Sequence, residues 1–244
     1  MENTPWFQSW FDSKYYHLLY SNRTEDEAEY FLGNLCQVLD IKPNSEVLDL
    51  ACGRGRHARF LNKFGLNVTG LDLSPSSISF AKNFENENLH FEIADMRYFK
   101  LAGSFDWIFN LFTSFGYFDT KEENLMVLER MAFHMKPGGK ILIDFFDLDC
   151  VKLNLVQHEI IQRGDILFDI NRSVTNEFVI KTISLTDNDE CFQFEERVQA
   201  LSKIDFLAMF EVAGLRLLRT FGDYNLNPHQ AGVSPRMILL AEIQ

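Results

Sequence analysis

Apolar positions change their period along the chain, and each change marks an element. From Thr24 the spacing is helical: Tyr30, Phe31, Leu35, Val38 and Leu39 form a stripe, and Thr24 with Glu27 makes a capping box. "IKPNS" ends that helix. "EVLDL" then reads as a buried strand, and "RHARFLNKF" as a short helix stopped by Gly65. "NVTGLDL" is a second strand. Ser74 caps the next helix, with Pro75 in its first turn. "LHFEIAD" and "FDWIFNLF" are the third and fourth strands. Thr120 and Glu123 make another capping box, opening the helix "KEENLMVLERMAFHM"; "KPGG" turns the chain, and "KILIDFF" is a fifth strand.

After Cys150 the period falls to two. "DILFDINRSV", "EFVIKTISLT" and "ECFQFEERVQAL" alternate apolar with polar residues, and "TDND" turns between the last two. In the third, Phe192, Phe194, Val198 and Ala200 line one face, with Gln193, Glu195, Arg197 and Gln199 on the other. Ser202 starts a helix that Gly214 ends. "LRLLRTFGDY" and "RMILLAEI" follow with no helix between them, so they pair antiparallel.

Strands alternating with helices imply an α/β fold with a doubly wound, mostly parallel sheet. The reading gives seven strands in a Rossmann-like arrangement, with a small antiparallel β insertion after the fifth. Ligands of such sheets sit beyond the carboxyl ends of the strands. Those ends are Asp49 to Gly55, Asp72, Asp95 and Asn110 to Phe115.

Charge and composition narrow the partners. A formal net charge of -12 over 244 residues opposes a long polyanion such as nucleic acid, whose binders carry a basic field. No apolar run reaches the ~20 residues of a membrane span, and the amino-terminal "MENTPWFQSWFDSKYYHLLY" lacks the pattern of a signal peptide, so no membrane partner and a cytoplasmic protein are expected. Cys36, Cys52, Cys150 and Cys191 are scattered and read as reduced structural thiols; no metal site is expected.

Chemistry concentrates in "VLDLACGRGRHARF". Gly53-x-Gly55-x-x-Ala58 between a strand and a helix fits a nucleotide-binding loop, and Asp72 lies where an acid would hold a ribose. Three features separate a dinucleotide from S-adenosylmethionine. Asp49 beside the loop opposes a pyrophosphate and favours an ammonium and a sulfonium. Asp95 and Met96 offer an adenine a hydrogen-bond acceptor and an apolar surface. The sheet ends in an antiparallel pair rather than a second βαβ half.

These residues resemble a class I S-adenosylmethionine-dependent methyltransferase. "VLDLACGRGRH", "VTGLDLSPSSISFAK", "IADMRYF", "FDWIFNLFTSFGYF" and "MKPGGKILIDF" arrive in that family's order. Ala51 stands where many members have glycine, which close approach tolerates if its φ is negative. Within the family the chain is most similar to small-molecule N-methyltransferases of the glycine N-methyltransferase and amino-sugar N,N-dimethyltransferase type.

The resemblance implies an amino-terminal lid segment (1–23), a cofactor-binding core (24–149), an antiparallel insertion covering the substrate (150–201) and a closing unit (202–244). It implies cofactor contacts from Tyr16, Arg23, Asp49, Ala51, Gly53, Gly55, Asp72, Leu73, Asp95, Met96, Asn110 and Leu111. Ser114, Phe115, Tyr117, Arg197, Tyr224 and Arg236 are candidate substrate contacts, and Tyr16 and Tyr117 are candidates for orienting the reacting centre.

The expected reaction moves a methyl group to a small-molecule acceptor by in-line displacement. Nitrogen is slightly preferred as nucleophile, because no obvious His–acid pair offers a strong base; His17 and His134 are the open alternatives. The rivals are an RNA methyltransferase, a NAD-binding Rossmann oxidoreductase and an inert S-adenosylmethionine-binding protein. Trp6, Phe7, Trp10 and Phe11 are either a lid or a homodimer interface.

Overall fold

A computed structural model describes residues 6–21 and 25–244. Two short helices come first, α1 (Trp6–Phe11) and α2 (Lys14–Leu19). Then α3 (Glu25–Val38) leads to β1 (Glu46–Leu50), and the alternation continues through α4 (Arg56–Lys63), β2 (Asn67–Asp72), α5 (Pro75–Ala81), β3 (Leu89–Ile93), β4 (Phe105–Asn110), α6 (Lys121–Phe133) and β5 (Met135–Phe146). A helix α7 (Leu148–Leu153) precedes four strands, β6 (His158–Arg163), β7 (Ile166–Val174), β8 (Phe178–Asp187) and β9 (Glu190–Gln199). Helix α8 (Lys203–Val212), β10 (Leu215–Phe221) and β11 (Arg236–Ile243) close the chain.

The first sheet has seven strands in the order β10-β11-β5-β4-β1-β2-β3. Neighbours from β5 to β3 pair in parallel, and β11 runs antiparallel between β5 and β10. The order steps outward from β1 to β3 and then returns to the far side of β1. That reversal opens a crevice between the carboxyl ends of β1 and β4, the position at which such sheets take ligands.

Alternation along each strand feeds two cores. Leu48, Leu50, Ile108, Ile141 and Ile143 face α6 and α8, packing on Val127, Met131, Phe206 and Phe210. Val47, Trp107, Phe109 and Leu142 face α3, α4 and α5, packing on Phe31, Leu35, Leu61 and Ile78. The second sheet, in the order β6-β7-β8-β9, is antiparallel. Its inner face buries Phe168, Ile170, Ile183 and Leu185 against Trp10, Tyr15 and Leu19. The amino-terminal helices therefore bridge the two sheets.

Three local readings need correction. The buried stripe of α3 is Ala28, Phe31, Leu32, Leu35 and Cys36, whereas Tyr30 and Val38 are exposed. "KPGG" is part of β5 rather than a turn before it; Gly138 takes φ +76, and the pairing of β4 with β5 shifts register there, so the turn residues become a bulge. The insertion has a fourth strand, β6, and an opening helix whose N-cap Asp147 accepts from the Cys150 amide. The N-terminal aromatics pack within this chain: Trp10 is fully buried, and Trp6, Phe7 and Phe11 are half-buried. The capping boxes at Thr120 and Ser202 are complete, and Ser74 accepts from the Ser77 amide as its N-cap role requires. Thr24, the first half of the box expected at α3, lies outside the described residues, as does Arg23.

Candidate active site

The loop after β1 is held by its neighbours rather than by its own side chains. Cys52 N donates to Leu71 O (2.9 Å) and Gly53 N donates to Asp72 Oδ2 (2.7 Å). The other oxygen of Asp72 accepts from Ser74 N at 2.8 Å, so one carboxylate ties the loop to the start of α5. Burial raises the Asp72 carboxyl above its ordinary value, with those amides pulling the other way.

Ala51 has φ +63, contrary to the negative value expected of it. An L-residue there is strained, and the loop accepts the strain to turn sharply off β1. Gly55 also departs from its expected ligand role. It sits behind the loop, where a Cβ would come within 2.5 Å of Phe91 Cζ, and its φ is +76. Its requirement is close packing of α4 on β3. Gly53, with φ +55 and open space around it, faces the cleft.

Two connected hollows lie above this loop. A small apolar slot is lined by Leu50, Leu71, Leu73, Ala94, Asp95 and Met96, with Phe7 and Phe11 of α1 as outer wall. It shares Phe11, Ala51, Asp72 and Tyr117 with a wide cleft of about 1020 Å³. The cleft is lined by Tyr16, His17 and Tyr20 of α2, by Gly53, Arg54, Arg56 and His57 after β1, by Leu111 to Ser114 after β4, and by Glu196, Val198, Tyr224 and Arg236. Tyr16 and Tyr117 both pack on Phe11, with ring centroids 4.9 and 5.2 Å away, so three aromatic rings form one rim.

Three acids stand near the site, two of them buried. Asp49, on β1 under α4, is 1% exposed; its Oδ2 finds no hydrogen-bond donor, and burial pushes its carboxyl up to about 7. Asp95 lines the slot, but Arg97 clamps it, Nε to Oδ1 at 3.0 Å and Nη2 to Oδ2 at 2.6 Å. Asp144, in the middle of the sheet, is fully buried and paired with Arg236 at 2.6 Å. Tyr224 OH donates to the same carboxylate (3.2 Å); burial, then the charge of Asp144, raises that phenol well above its usual range.

Several predicted residues are elsewhere. Phe115 is fully buried in the core against Phe206, 5.4 Å between ring centroids. Arg197 reaches away to Asp119 and stacks over Phe178, on the face of β9 opposite Glu196. Asn110 is fully buried and donates to Leu50 O (3.1 Å), tying β4 to the end of β1. His134 is buried at the amino end of β5, where Leu101 N donates to Nε2 and Nδ1 meets Arg130 O, so it is structural. His17 does line the cleft; burial lowers its imidazole below the usual value, and Arg54 adds to the shift.

Two residues escaped the sequence reading. Glu196 points into the cleft, accepts from Trp10 Nε1 (2.8 Å) and Tyr20 OH (2.6 Å), and lies 3.5 Å from Lys181. Its signal was a charge on the apolar face of β9, between Phe194 and Val198. Asp144 had a similar one, an acid inside the apolar run "KILIDFF".

Comparison with known proteins gives relatives of the fold. The family profile described as "Methyltransferase domain" matches residues 47–139. The dTDP-3-amino-3,4,6-trideoxy-alpha-D-glucopyranose N,N-dimethyltransferase of Streptomyces venezuelae is 34% identical over 132 residues, 53% of this chain and 54% of that protein. The dTDP-3-amino-3,6-dideoxy-alpha-D-glucopyranose N,N-dimethyltransferase of Streptomyces fradiae is 35% identical over 101 residues, 41% of this chain and 39% of that protein. The chain thus spans about half or less of the length of these curated relatives. A crystal structure of an S-adenosylmethionine-dependent methyltransferase from Clostridium acetobutylicum superposes with TM-score 0.78 at 20% identity, over 94% of this chain and 96% of that one. Residues 47–139 therefore match a methyltransferase-domain profile, and the seven-stranded fold around them is shared with a solved S-adenosylmethionine-dependent methyltransferase.

Proposed function

We propose that the protein transfers a methyl group from S-adenosylmethionine to the amine of a small-molecule acceptor, an amino sugar being the leading class. The carrying observation is the joined pair of hollows. A small apolar slot runs past a half-buried carboxylate, Asp72, into a wide polar cleft. Leu73 and Met96 would face the adenine, and Asp72 would accept from the ribose hydroxyls. Gly53 lets the methionine end approach the backbone, whereas Asp49, expected as a direct contact, is buried and lines neither hollow, so it would act on a cationic end through its charge alone. The clamped carboxylate of Asp95 offers the adenine an edge already held in place.

The cofactor supplies an electrophilic methyl on a sulfonium. The chain's task is to hold a neutral nitrogen in line with that bond and to keep water away. Tyr16, Tyr117 and Phe11 form the apolar rim suited to both. The His–Asp pairs at His158–Asp169 and His229–Asp147 contribute no residue to the cleft lining, which favours an amine over an unactivated hydroxyl. The names of the curated relatives point the same way, to amino-sugar nitrogen. The acidic balance of the chain disfavours RNA as acceptor. The same reading sets the protein in the cytoplasm; no helix among the described residues is long and apolar enough to cross a membrane. A homodimer is part of the reading and is tested by sedimentation.

The test is calorimetric titration with S-adenosylhomocysteine, with NADH as control ligand. Saturable one-site binding that disappears in Asp72→Ala supports the reading. Binding of NADH alone sinks it. Labelled S-adenosylmethionine is then offered with dTDP-amino sugars, amino acids and RNA; label on RNA alone overturns the acceptor assignment.

A further inference from the structure

Asp144 occupies an unusual place. Its strand is otherwise apolar at this level: Ile143 and Phe145 flank it, and Met237, Ile238 and Leu239 face it from β11. A buried ion pair costs more desolvation than an apolar pair in the same space, so Asp144 with Arg236 is no device for holding the two strands together. What the pair does instead is reach out of the sheet. Asp144 Oδ2 accepts from Phe112 N (2.9 Å), and its backbone carbonyl accepts from Thr113 N (2.9 Å). Arg236 Nε donates to Oδ1 (2.8 Å), and Nη2 donates onward to Thr113 Oγ1 (2.9 Å).

The loop held in this way is strained. Phe112 and Thr113 have φ +57 and +62, two consecutive non-glycine residues in the left-handed region. Such a pair persists only where its surroundings dictate it: the buried carboxylate holds the Phe112 amide directly and Thr113 Oγ1 through Arg236, while the Asp144 carbonyl holds the Thr113 amide. The strain also has a visible product. Phe112 is turned against His57 (4.7 Å, stacked), Arg56 (4.9 Å) and Tyr224 (5.3 Å), and Phe112, Thr113, Ser114, Tyr224 and Arg236 together form one wall of the cleft.

We infer that Asp144 is the positioning residue of the acceptor wall. Its carboxylate fixes the left-handed turn at Phe112 and Thr113 and the direction of the Arg236 guanidinium, so this wall meets the acceptor already formed. The inference rests on the methyltransferase reading of the cleft for its role, but not for its geometry. Asp144 itself lines neither hollow, and it reaches the residues after β1 only through Phe112, which stacks on His57.

Backbone hydrogen exchange is the first readout, because it requires no acceptor. In Asp144→Asn, which keeps the shape and removes the charge, the Phe112 amide should exchange about tenfold faster or more, and that of Thr113 should follow as the turn loosens. The dissociation constant for S-adenosylhomocysteine should stay within about twofold of wild type, while kcat/KM for the best amine of the acceptor screen falls roughly 30-fold. Asp144→Glu, longer by one methylene, should recover part of the loop protection. If the single variant unfolds, the double variant Asp144→Leu with Arg236→Met removes both charges together and is expected to fold; its loop should exchange as fast as that of Asp144→Asn. Unchanged exchange at Phe112 and Thr113 in a folded variant overturns the inference, as does a loss of cofactor affinity equal to the loss of turnover. If wild type itself fails to bind S-adenosylhomocysteine, the methyltransferase reading fails separately, and the exchange data still decide what Asp144 holds.

Discussion

The two walls of the cleft are built in opposite ways. On the cofactor side, contacts are short in sequence: Asp72 receives the Gly53 amide from 19 residues away and the Ser74 amide from two. On the acceptor side they are long: Arg236 meets Asp144 across 92 residues and Thr113 across 123, and Tyr20 meets Glu196 across 176. The wall proposed for the cofactor is built on turns at strand ends, with one strained alanine, and Phe7 and Phe11 of α1 cover its outer side. The acceptor wall is made of side chains from α2, β9, β11 and two loops, locked by buried charge. A backbone-built site suits an invariant ligand. A side-chain-built site can change its acceptor without disturbing the sheet.

The sharpest break in that contrast is Asp72→Ala. Removing the anionic acceptor for two hydroxyls should weaken S-adenosylhomocysteine binding about 100-fold or more by calorimetry, because hydrogen bonds to charged groups contribute about 1.5–3 kcal/mol each. Gly55→Ala attacks the same wall through its packing. Its Cβ would meet Phe91 in a left-handed residue, so a loss of about 2–4 kcal/mol in denaturant unfolding is expected.

Glu196→Gln tests the opposite wall. It removes the charge that Trp10, Tyr20 and Lys181 share, and kcat/KM for the acceptor should fall about tenfold while cofactor affinity holds within about twofold. An equal fall in both would show that the two walls are one unit.

Asp49 gives a pH signature on the cofactor side. Its folded carboxyl titrates at about 7, against an ordinary value of 3.8. Between those values the folded chain holds a proton that the unfolded chain has lost. This group therefore removes stability as pH rises through that window. A bound ammonium favours the ionised form, so S-adenosylhomocysteine binding at pH 6 should release a proton, and affinity should rise towards pH 7. Calorimetry in buffers of different ionisation enthalpy measures the proton, and Asp49→Asn should abolish it. The smallest effect is Ala51→Gly, which relieves the φ +63 strain and should stabilise the protein by about 1 kcal/mol in thermal unfolding.

Local rules in the sequence determined the order of the elements, the parallel sheet, the antiparallel ending and the loop after β1. Strand and helix periods, caps and turn residues act over a few positions, and the cofactor wall consists of such positions. Tertiary structure alone decided the rest. Asp144 looked like one acid in a core strand until β11 brought Arg236 beside it. Glu196 looked like one of several charges until pairing with β8 turned even-numbered positions of β9 inward. Phe115 and Arg197 went the other way, into the core and out to Asp119, for the same reason of register and packing. A side chain's direction at a strand end depends on what the rest of the chain folds against it, and at this cleft Arg236 lies 92 residues from Asp144 and Trp10 lies 186 from Glu196.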